Sequence, residues 1–204
     1  MTIKQYFFLL PVLVTAILNG CGTTTIYDAK SIDESKQLVL GDDEVLITGK
    51  IIFIENGQSK APYSLGRPSW ILGGREELSN LHIPLLSTEK DGSFYYVVPA
   101  GKYLMKSVVP FYYTPYIYPA IYFDAPEPKS IYYLGVLIID IDTTKMLGGL
   151  WGNYINSLNF VEVKDEFYTA RQILMEKFPE FEYENIHKEI MERIPGNFPT
   201  LQKS

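Results

Sequence analysis

This sequence is poor in the residues that most often hold metals. Cys21 is its only cysteine, so no disulfide framework can form within the chain. The two histidines, His82 and His187, have no second ligand at metal-binding spacing. Asp140 and Asp142 lie at one strand end, but no glycine-spaced acidic loop of the calcium-binding kind follows them. We therefore predict no metal and no cofactor, and stability that comes from packing.

Positive charge and catalytic motifs are also scarce. The chain has 18 Lys and Arg against 24 Asp and Glu, a net charge of −6, with no basic stripe. Binding to phosphate backbones or to headgroups by charge needs clustered positive residues, so nucleic acid is excluded as a partner. Ser64 and Ser69 lack the Gly-x-Ser-x-Gly elbow of hydrolases. The sequence predicts a protein that is not an enzyme.

No apolar run is long enough to cross a bilayer comfortably. Tyr6 to Leu18 form an uncharged run of 13 residues, whereas a spanning helix needs about 20 apolar residues. Lys4 precedes this run and the small residue Gly20 follows it. Such a length with such flanks is typical of a secretory signal peptide. We predict that residues 1–20 are a signal peptide.

The end of this run, Leu18-Asn19-Gly20-Cys21, resembles the lipobox of bacterial lipoproteins. The resemblance implies that signal peptidase II recognises Leu18, Asn19 and Gly20 and cuts before Cys21, which then carries several acyl chains. Each buried methylene contributes about 0.8 kcal/mol, so several chains make a stable membrane anchor. Gly22, rather than Asp, favours the outer membrane of the bacterial cell envelope over the inner one. The alternative is an ordinary signal that leaves Cys21 as a free thiol.

The rest of the chain divides into three parts by composition. Residues 21–44 are polar and of mixed charge, and are predicted to be a tether, with 38–40 as a small docking strand. The part at 45–163 is rich in aromatic and β-branched residues, which favour strands, and is predicted to be a β-sandwich domain. The part at 164–204 is predicted to be a helical extension.

Strands are predicted where apolar residues alternate or run together between turn signals. They lie at 45–54, 81–87, 93–98, 102–109, 131–142 and 158–163. Asn56-Gly57 is a turn signal, and Pro84 suits an edge strand or a bulge. The stretch 61–74 is predicted to be a loop, and 131–142, the most apolar strand, to be the centre of the sandwich. Several short strands at this spacing indicate an antiparallel sandwich of two sheets.

The stretch 91–109 contains a recognisable pattern. Gly92 and Phe94 lead into Val98-Pro99-Ala100-Gly101, and Tyr103 follows. This resembles the hairpin signature of transthyretin-like domains, also called carboxypeptidase-regulatory-like. The resemblance implies a transthyretin- or immunoglobulin-like sandwich that serves interactions. Pro99 fixes φ at the corner, and Phe94 and Tyr103 are expected to fill the core across the hairpin.

The C-terminal part changes to helical spacing. Asp165 is a suitable N-cap, and Pro179 ends the first helix. Its inward residues are predicted to be Phe167, Ala170, Leu174 and Phe178. A second helix is predicted over 184–194, with Ile186, Ile190 and Ile194 inward, so that both helices pack on the sandwich. The tail from residue 195 is predicted to be loose.

The segment 110–128 is unusually rich in tyrosine and proline. Tyrosine offers a large contact area at low entropic cost, so this segment could form a surface that stacks on sugars or grips a peptide. The candidate residues are Tyr112, Tyr113, Tyr116, Tyr118 and Trp70. The alternative is a rigid hairpin whose tyrosines alternate between core and rim, with Trp70 and Trp151 as plugs.

Taken together, these features predict a lipid-anchored lipoprotein of a bacterial envelope that acts as a binding or structural module. Its partners are the membrane, through acyl chains on Cys21, and an envelope protein, peptide or glycan. One alternative is a carbohydrate- or peptide-binding protein that uses segment 110–128. A second alternative is a hydrolase, which would require perturbed acids in a pocket.

Overall fold

The computed structural model describes residues 25–26, 30–31, 38–60, 69–74, 81–85, 88–109, 113–146 and 153–202. The predicted signal peptide, the lipobox and Cys21 lie outside this part of the chain. In chain order, its strands are β1 (Thr25–Ile26), β2 (Lys30–Ser31), β3 (Glu44–Glu55), β4 (Gln58–Lys60), β5 (Ser69–Gly74), β6 (Leu81–Leu85), β7 (Ser93–Pro99), β8 (Gly101–Val109), β9 (Tyr113–Thr114), β10 (Tyr116–Tyr118), β11 (Ile121–Ala125), β12 (Ile131–Lys145), β13 (Asn153–Lys164), β14 (Ile186–Lys188), β15 (Glu192–Arg193) and β16 (Thr200–Gln202). Its helices are α1 (Phe167–Lys177) and a 3-10 turn at Tyr183–Asn185.

The strands form two sheets. Sheet A has the order β1-β6-β5-β8-β10-β16, and β11 joins β8 to β15. Sheet B has the order β2-β7-β3-β12-β13-β9, with β4 beside β3 and β14 beside β12. Most neighbours are antiparallel, but β3 and β14 both run parallel to β12. The prediction of a mainly β fold with two sheets is confirmed.

The main core lies between the two sheets. Sheet B contributes Ile47 and Phe53, and sheet A contributes Tyr103 and Phe123, all at most 1% exposed. The rings of Tyr103 and Phe123 stack with their centroids 5.3 Å apart. Phe94 is also buried in this cluster, so the expected core positions of Phe94 and Tyr103 are confirmed.

Strand β12 is buried on both faces. Tyr132 and Leu137 contact the core between the sheets, whereas Ile131 and Tyr133 belong to a second cluster on the other side of sheet B. A strand that is covered on both faces has a continuous apolar sequence rather than alternating apolar and polar residues. This explains the apolar sequence of β12, which lies between β3 and β13 as the predicted centre.

A bulge interrupts β12 where it passes β3. The register shifts between Tyr133 and Val136, and Gly135 has a φ of +96°. Opposite the bulge, a Cβ on Gly49 would lie 2.7 Å from the Gly135 carbonyl oxygen. Both positions therefore require glycine, one for its backbone conformation and the other for close approach.

Helix α1 covers the outer face of sheet B. Phe167 and Leu174 on the helix, with Phe178 just after it, are buried against Leu46 and Tyr133. The predicted helix and its inward residues are confirmed, and it ends before Pro179. Glu166 is the N-cap and makes no side-chain cap bond, while Oδ1 of Asp165 accepts from the Phe167 amide at 2.9 Å.

The prediction of a second helix at 184–194 is wrong. This stretch contains the 3-10 turn followed by β14 and β15. In this stretch the chain crosses from one sheet to the other. Ile186 pairs with Ile131 in sheet B, and Arg193 pairs with Ile121 in sheet A. The tail predicted to be loose is also ordered through residue 202, because β16 pairs with β10.

The hairpin predicted at 91–109 is wrong as well, although both of its strands exist. Strand β7 pairs with β3 in sheet B, whereas β8 pairs with β5 and β11 in sheet A. The Pro99-Ala100-Gly101 corner therefore carries the chain between sheets, and the Tyr103 hydroxyl donates to the Pro99 carbonyl within it. The turn residues mark where the chain reverses, but they do not decide which strand becomes the partner.

Three further expectations need correction. Residues 69–74, predicted to lie in a loop, form β5 between β6 and β8. Residues 38–40 form no strand; Leu40 docks by side-chain burial instead, and the Leu38 amide donates to Glu180 Oε1 at 2.8 Å. The strand predicted at 158–163 is found, but it begins five residues earlier, as part of β13.

Candidate functional site

The predicted aromatic residues whose backbone the structure describes lie on strands of both sheets. Tyr113 lies in β9 of sheet B, whereas Tyr116 and Tyr118 lie in β10 of sheet A. Trp70 lies in β5 of sheet A, and its side chain and that of Tyr113 are outside what the structure describes. Tyr112 and Trp151 also fall outside the described residues. Of the candidate set, only Tyr116 and Tyr118 can be placed as side chains.

Tyr116 and Tyr118 lie on the outer face of sheet A. Ile117 between them is fully buried in the core, and successive strand residues point to opposite faces. Tyr122 lies on the same face of β11, opposite Leu104 of β8, and its hydroxyl donates to Glu192 Oε2 at 2.7 Å. We call Tyr116, Tyr118 and Tyr122 the outer tyrosine face. Tyr116 is 42% exposed.

A groove runs beside Tyr122 on this face. It has a volume of about 320 Å³, and its walls are Leu104, Tyr122, Ile194 and Pro195. Its walls are mainly apolar and aromatic, and the Tyr122 hydroxyl provides a polar tip. Flat tyrosine surfaces of this kind can stack against a sugar ring or an extended peptide.

A second cavity lies between α1 and the outer face of sheet B, and we call it the helix cleft. Its volume is about 200 Å³. The apolar part of its wall comes from Val136 of β12 and from Ala170, Ile173 and Leu174 of the helix. It exists because the helix touches the sheet through Phe167 and Leu174, and the small residue Ala170 between them leaves room.

Charged side chains stand at one side of the helix cleft and neutralise each other. Lys50 Nζ lies 3.1 Å from Asp91 Oδ2, and the Ser93 amide and hydroxyl donate to the same carboxylate at 3.0 and 2.9 Å. Partial burial acts to raise the pKa of Asp91, but the hydrogen bonds from Ser93 and Lys50 outweigh it, so the pKa is lowered. Asp91 is thus a paired carboxylate rather than a poised acid.

The unusual group in the helix cleft is the Tyr133 hydroxyl. Tyr133 is 3% exposed, and its hydroxyl has no hydrogen-bond partner among the described residues. Burial raises the pKa of Tyr133 to about 12, and the carboxylates of Glu166 and Asp165 raise it further. The Glu166 amide acts to lower this pKa, although it is not placed to form a hydrogen bond with the hydroxyl. The hydroxyl therefore stays protonated at physiological pH, able to donate and to accept.

Tyr132, the next residue, provides a contrast. It points to the opposite face of the strand, and its hydroxyl accepts from the Glu127 amide at 2.8 Å. Its ring stacks on His187 with centroids 5.0 Å apart. Of these two adjacent buried tyrosines, only Tyr132 has a hydroxyl with a hydrogen-bond partner in the described part of the chain.

The other polar candidates are dispersed. His82 lies in β6, and His187 Nε2 is 3.6 Å from Glu127 Oε2. Asp140 accepts from Asn159 at 2.9 Å, and Asp142 accepts from Ser157 at 2.8 Å, so the two acids belong to a ladder between β12 and β13. Among the residues that the structure describes, no three side chains of His, Cys, Asp or Glu converge as a metal site would require.

Sequence reasoning missed the helix cleft. Tyr133 lies in the most apolar run of the chain, where a tyrosine indicates core packing. The Tyr133 hydroxyl is unpaired because of where α1 docks on sheet B, and no local sequence motif predicts that position.

Within the described part of the chain, no helix combines the length and the apolar character of a membrane span. Family models, curated protein sequences and solved structures were compared with this chain, and none of the three comparisons gives a match.

Proposed function

We propose that this chain is a lipid-anchored lipoprotein of a bacterial envelope, held at the outer membrane, whose β body is a non-catalytic binding or structural module. The observation that carries the proposal is the sequence Leu18-Asn19-Gly20-Cys21 at the end of an uncharged run of signal-peptide length. The pairing of Asp91 with Lys50 and Ser93 supports a non-catalytic role, because it engages one of the two carboxylates that line the helix cleft.

A transthyretin- or immunoglobulin-like identity of the sandwich is part of the same proposal. It is supported by the Gly-x-Phe strand, the Pro-Ala-Gly corner and the burial of Phe94 and Tyr103 between two sheets. The corner joins strands of different sheets, which is a feature of Greek-key sandwiches rather than of meanders.

The fold begins close to the proposed anchor. Thr25, four residues after Cys21, lies in β1 and pairs with Leu81 in sheet A. An extended chain spans at most about 3.6 Å per residue, so the Cα atoms of Cys21 and Thr25 lie within about 14 Å. An acylated Cys21 would therefore hold the β1 edge of sheet A near the bilayer, much closer than a tether over 21–44 would allow.

The test is chemical. Cells producing the wild-type chain, Cys21→Ser or the control Thr24→Ser are fed an alkyne-bearing fatty acid, and the purified proteins are measured by label and by intact mass. We expect label and a mass that corresponds to residues 21–204 plus acyl groups for the wild type and Thr24→Ser, and neither for Cys21→Ser. Equal labelling of Cys21→Ser, or an unacylated wild type, would contradict the anchor.

The second candidate function is glycan or peptide binding by the outer tyrosine face. It is favoured by the position of Tyr116 and Tyr118 together on a sheet face that no described helix covers. We expect Tyr116→Ala with Tyr118→Ala to lose binding to peptidoglycan or to envelope peptides in a pull-down. The matched control is Tyr168→Ala, which removes an 84% exposed tyrosine from the helix side. Equal binding by both variants would contradict this role.

A further inference from the structure

The helix cleft has the size of a small ring. An apolar cavity of about 150 Å³ admits benzene, and the cleft holds about 200 Å³. Val136, Ile173 and Leu174 give it apolar walls. Polar side chains, among them Thr48 and Thr169, line the rest of it. The volume of the cleft therefore fits one six-membered ring with one or two substituents.

The Tyr133 hydroxyl supplies one polar partner in this apolar setting. Buried hydroxyls are normally hydrogen-bonded, and each exception calls for an explanation such as a ligand or an ordered water. This hydroxyl is already out of contact with bulk water. A hydrogen bond from an occupant would therefore replace no bond to solvent, although the occupant must open the cleft slightly to reach the oxygen.

The charges around the helix cleft select against anions. Lys50, Asp91 and Glu166 line it, which leaves one uncompensated carboxylate because Lys50 and Asp91 pair with each other. A carboxylate on the occupant would be repelled by Glu166, whereas an uncharged group would not.

We infer that the helix cleft binds a small uncharged molecule with one apolar ring and one hydroxyl or carbonyl group, which hydrogen-bonds to Tyr133. The ring lies against Val136, Ile173 and Leu174, and the polar group faces the tyrosine oxygen. This inference uses only described residues and does not depend on acylation of Cys21.

The test uses p-cresol as the probe, added to the full chain and followed by amide chemical shifts. Toluene is the probe without the hydroxyl, and p-toluate is the anionic probe. We expect p-cresol to shift the amides of Val136, Ile173 and Leu174, toluene to bind more weakly and p-toluate not to bind. Tyr133→Phe should weaken p-cresol about tenfold, the effect of one lost hydrogen bond, and leave toluene unchanged.

Tyr132→Phe is the matched control, because its hydroxyl is paired with Glu127 on the other face of β12. We expect this variant to keep p-cresol binding and to melt at a lower temperature, whereas Tyr133→Phe should melt at or above the wild-type temperature. The inference is overturned if p-cresol shifts none of the cleft amides, or if Tyr133→Phe binds it as the wild type does. A Tyr133→Phe melting temperature as low as that of Tyr132→Phe would also overturn it, since the hydroxyl would then have a fixed partner.

Discussion

The two sheets of this protein differ in what lies on their outer faces. The outer face of sheet B carries Leu46, Val97 and Tyr133, all buried beneath α1. The outer face of sheet A carries Tyr116 and Tyr122, which remain partly exposed. The same kind of residue, tyrosine on a strand, is thus buried under a helix on one sheet and partly exposed to solvent on the other. The exposure of a strand tyrosine in this protein therefore depends on whether a helix covers its sheet face.

The strands record this difference in their burial. Strand β11 alternates between buried and half-buried residues, as expected for a sheet with one solvated face. Strand β12 is buried without interruption over its first nine residues. Sheet B is therefore the middle layer of three, between sheet A and the helix, and substitutions there should be tolerated less well.

The largest expected effect comes from removing the cover of sheet B. Leu174 is 2% exposed and packs against the sheet, so Leu174→Ala should lower the free energy of unfolding by about 3 kcal/mol through lost burial and a residual cavity. Met175→Ala, the neighbouring control at 42% exposure, should change it by less than about 0.5 kcal/mol. Urea unfolding measures both. Equal values would mean that the helix does not stabilise the sheet.

A matched pair of glycines compares the sheets directly. A Cβ on Gly49 in sheet B would lie 2.7 Å from the Gly135 carbonyl oxygen and 2.8 Å from the Phe94 ring, and neither can move away. The three atoms nearest to a Cβ on Gly73 in sheet A all belong to the flexible end of Lys106, which can swing into solvent.

We therefore expect Gly49→Ala to destabilise the fold by about 2–3 kcal/mol and Gly73→Ala by less than about 1 kcal/mol. Thermal and urea unfolding of the two variants give the comparison. A Gly73→Ala variant as unstable as Gly49→Ala would show that the outer face of sheet A tolerates added volume no better than the inner face of sheet B, where Gly49 packs against Phe94.

Much of the fold follows from local sequence signals. The long strands β3 and β12, the turn at Asn56-Gly57 and the helix that begins at Phe167 were all predictable, because apolar period and turn residues act within a few positions. Asn56 and Gly57 both have positive φ, as this turn requires. The burial of Phe94 and Tyr103 also followed from their spacing around the corner.

What failed depended on partners distant in the sequence. The spacing of Ile186, Ile190 and Ile194 is helical. However, the strands that contain Ile131 and Ile121 have free edges here, and pairing with them satisfies the backbone hydrogen bonds of this stretch better than an isolated helix would. Strands β7 and β8 also lie in different sheets because each pairs with a strand that is distant in the sequence. Tyr113 and Tyr116 lie on strands of different sheets for the same reason. The helix cleft was missed because the unpaired Tyr133 hydroxyl depends on where α1 docks.

The smallest expected effect lies at the seam where the chain crosses between the sheets. The Glu189 amide donates to the Tyr133 carbonyl in sheet B, and its carboxylate accepts from the Asp124 amide in sheet A at 3.3 Å. Burial raises the pKa of Glu189; the Asp124 amide opposes this, and the carboxylates of Asp124 and Glu192 add to it. A carboxyl whose pKa is raised on folding destabilises the fold when it is charged, that is, at pH above its folded pKa.

Glu189→Gln should therefore stabilise the protein at neutral pH, by less than about 1 kcal/mol because the site is partly solvated. The gain should shrink as the pH falls through the raised folded pKa, and it should vanish below 4.5, the ordinary value for this carboxyl, where the wild-type side chain is protonated in both states. Melting temperatures of both proteins between pH 4 and 8 measure this. A difference that stays constant with pH would assign the effect to packing at the seam rather than to charge, and the two sheets would then be joined without electrostatic strain.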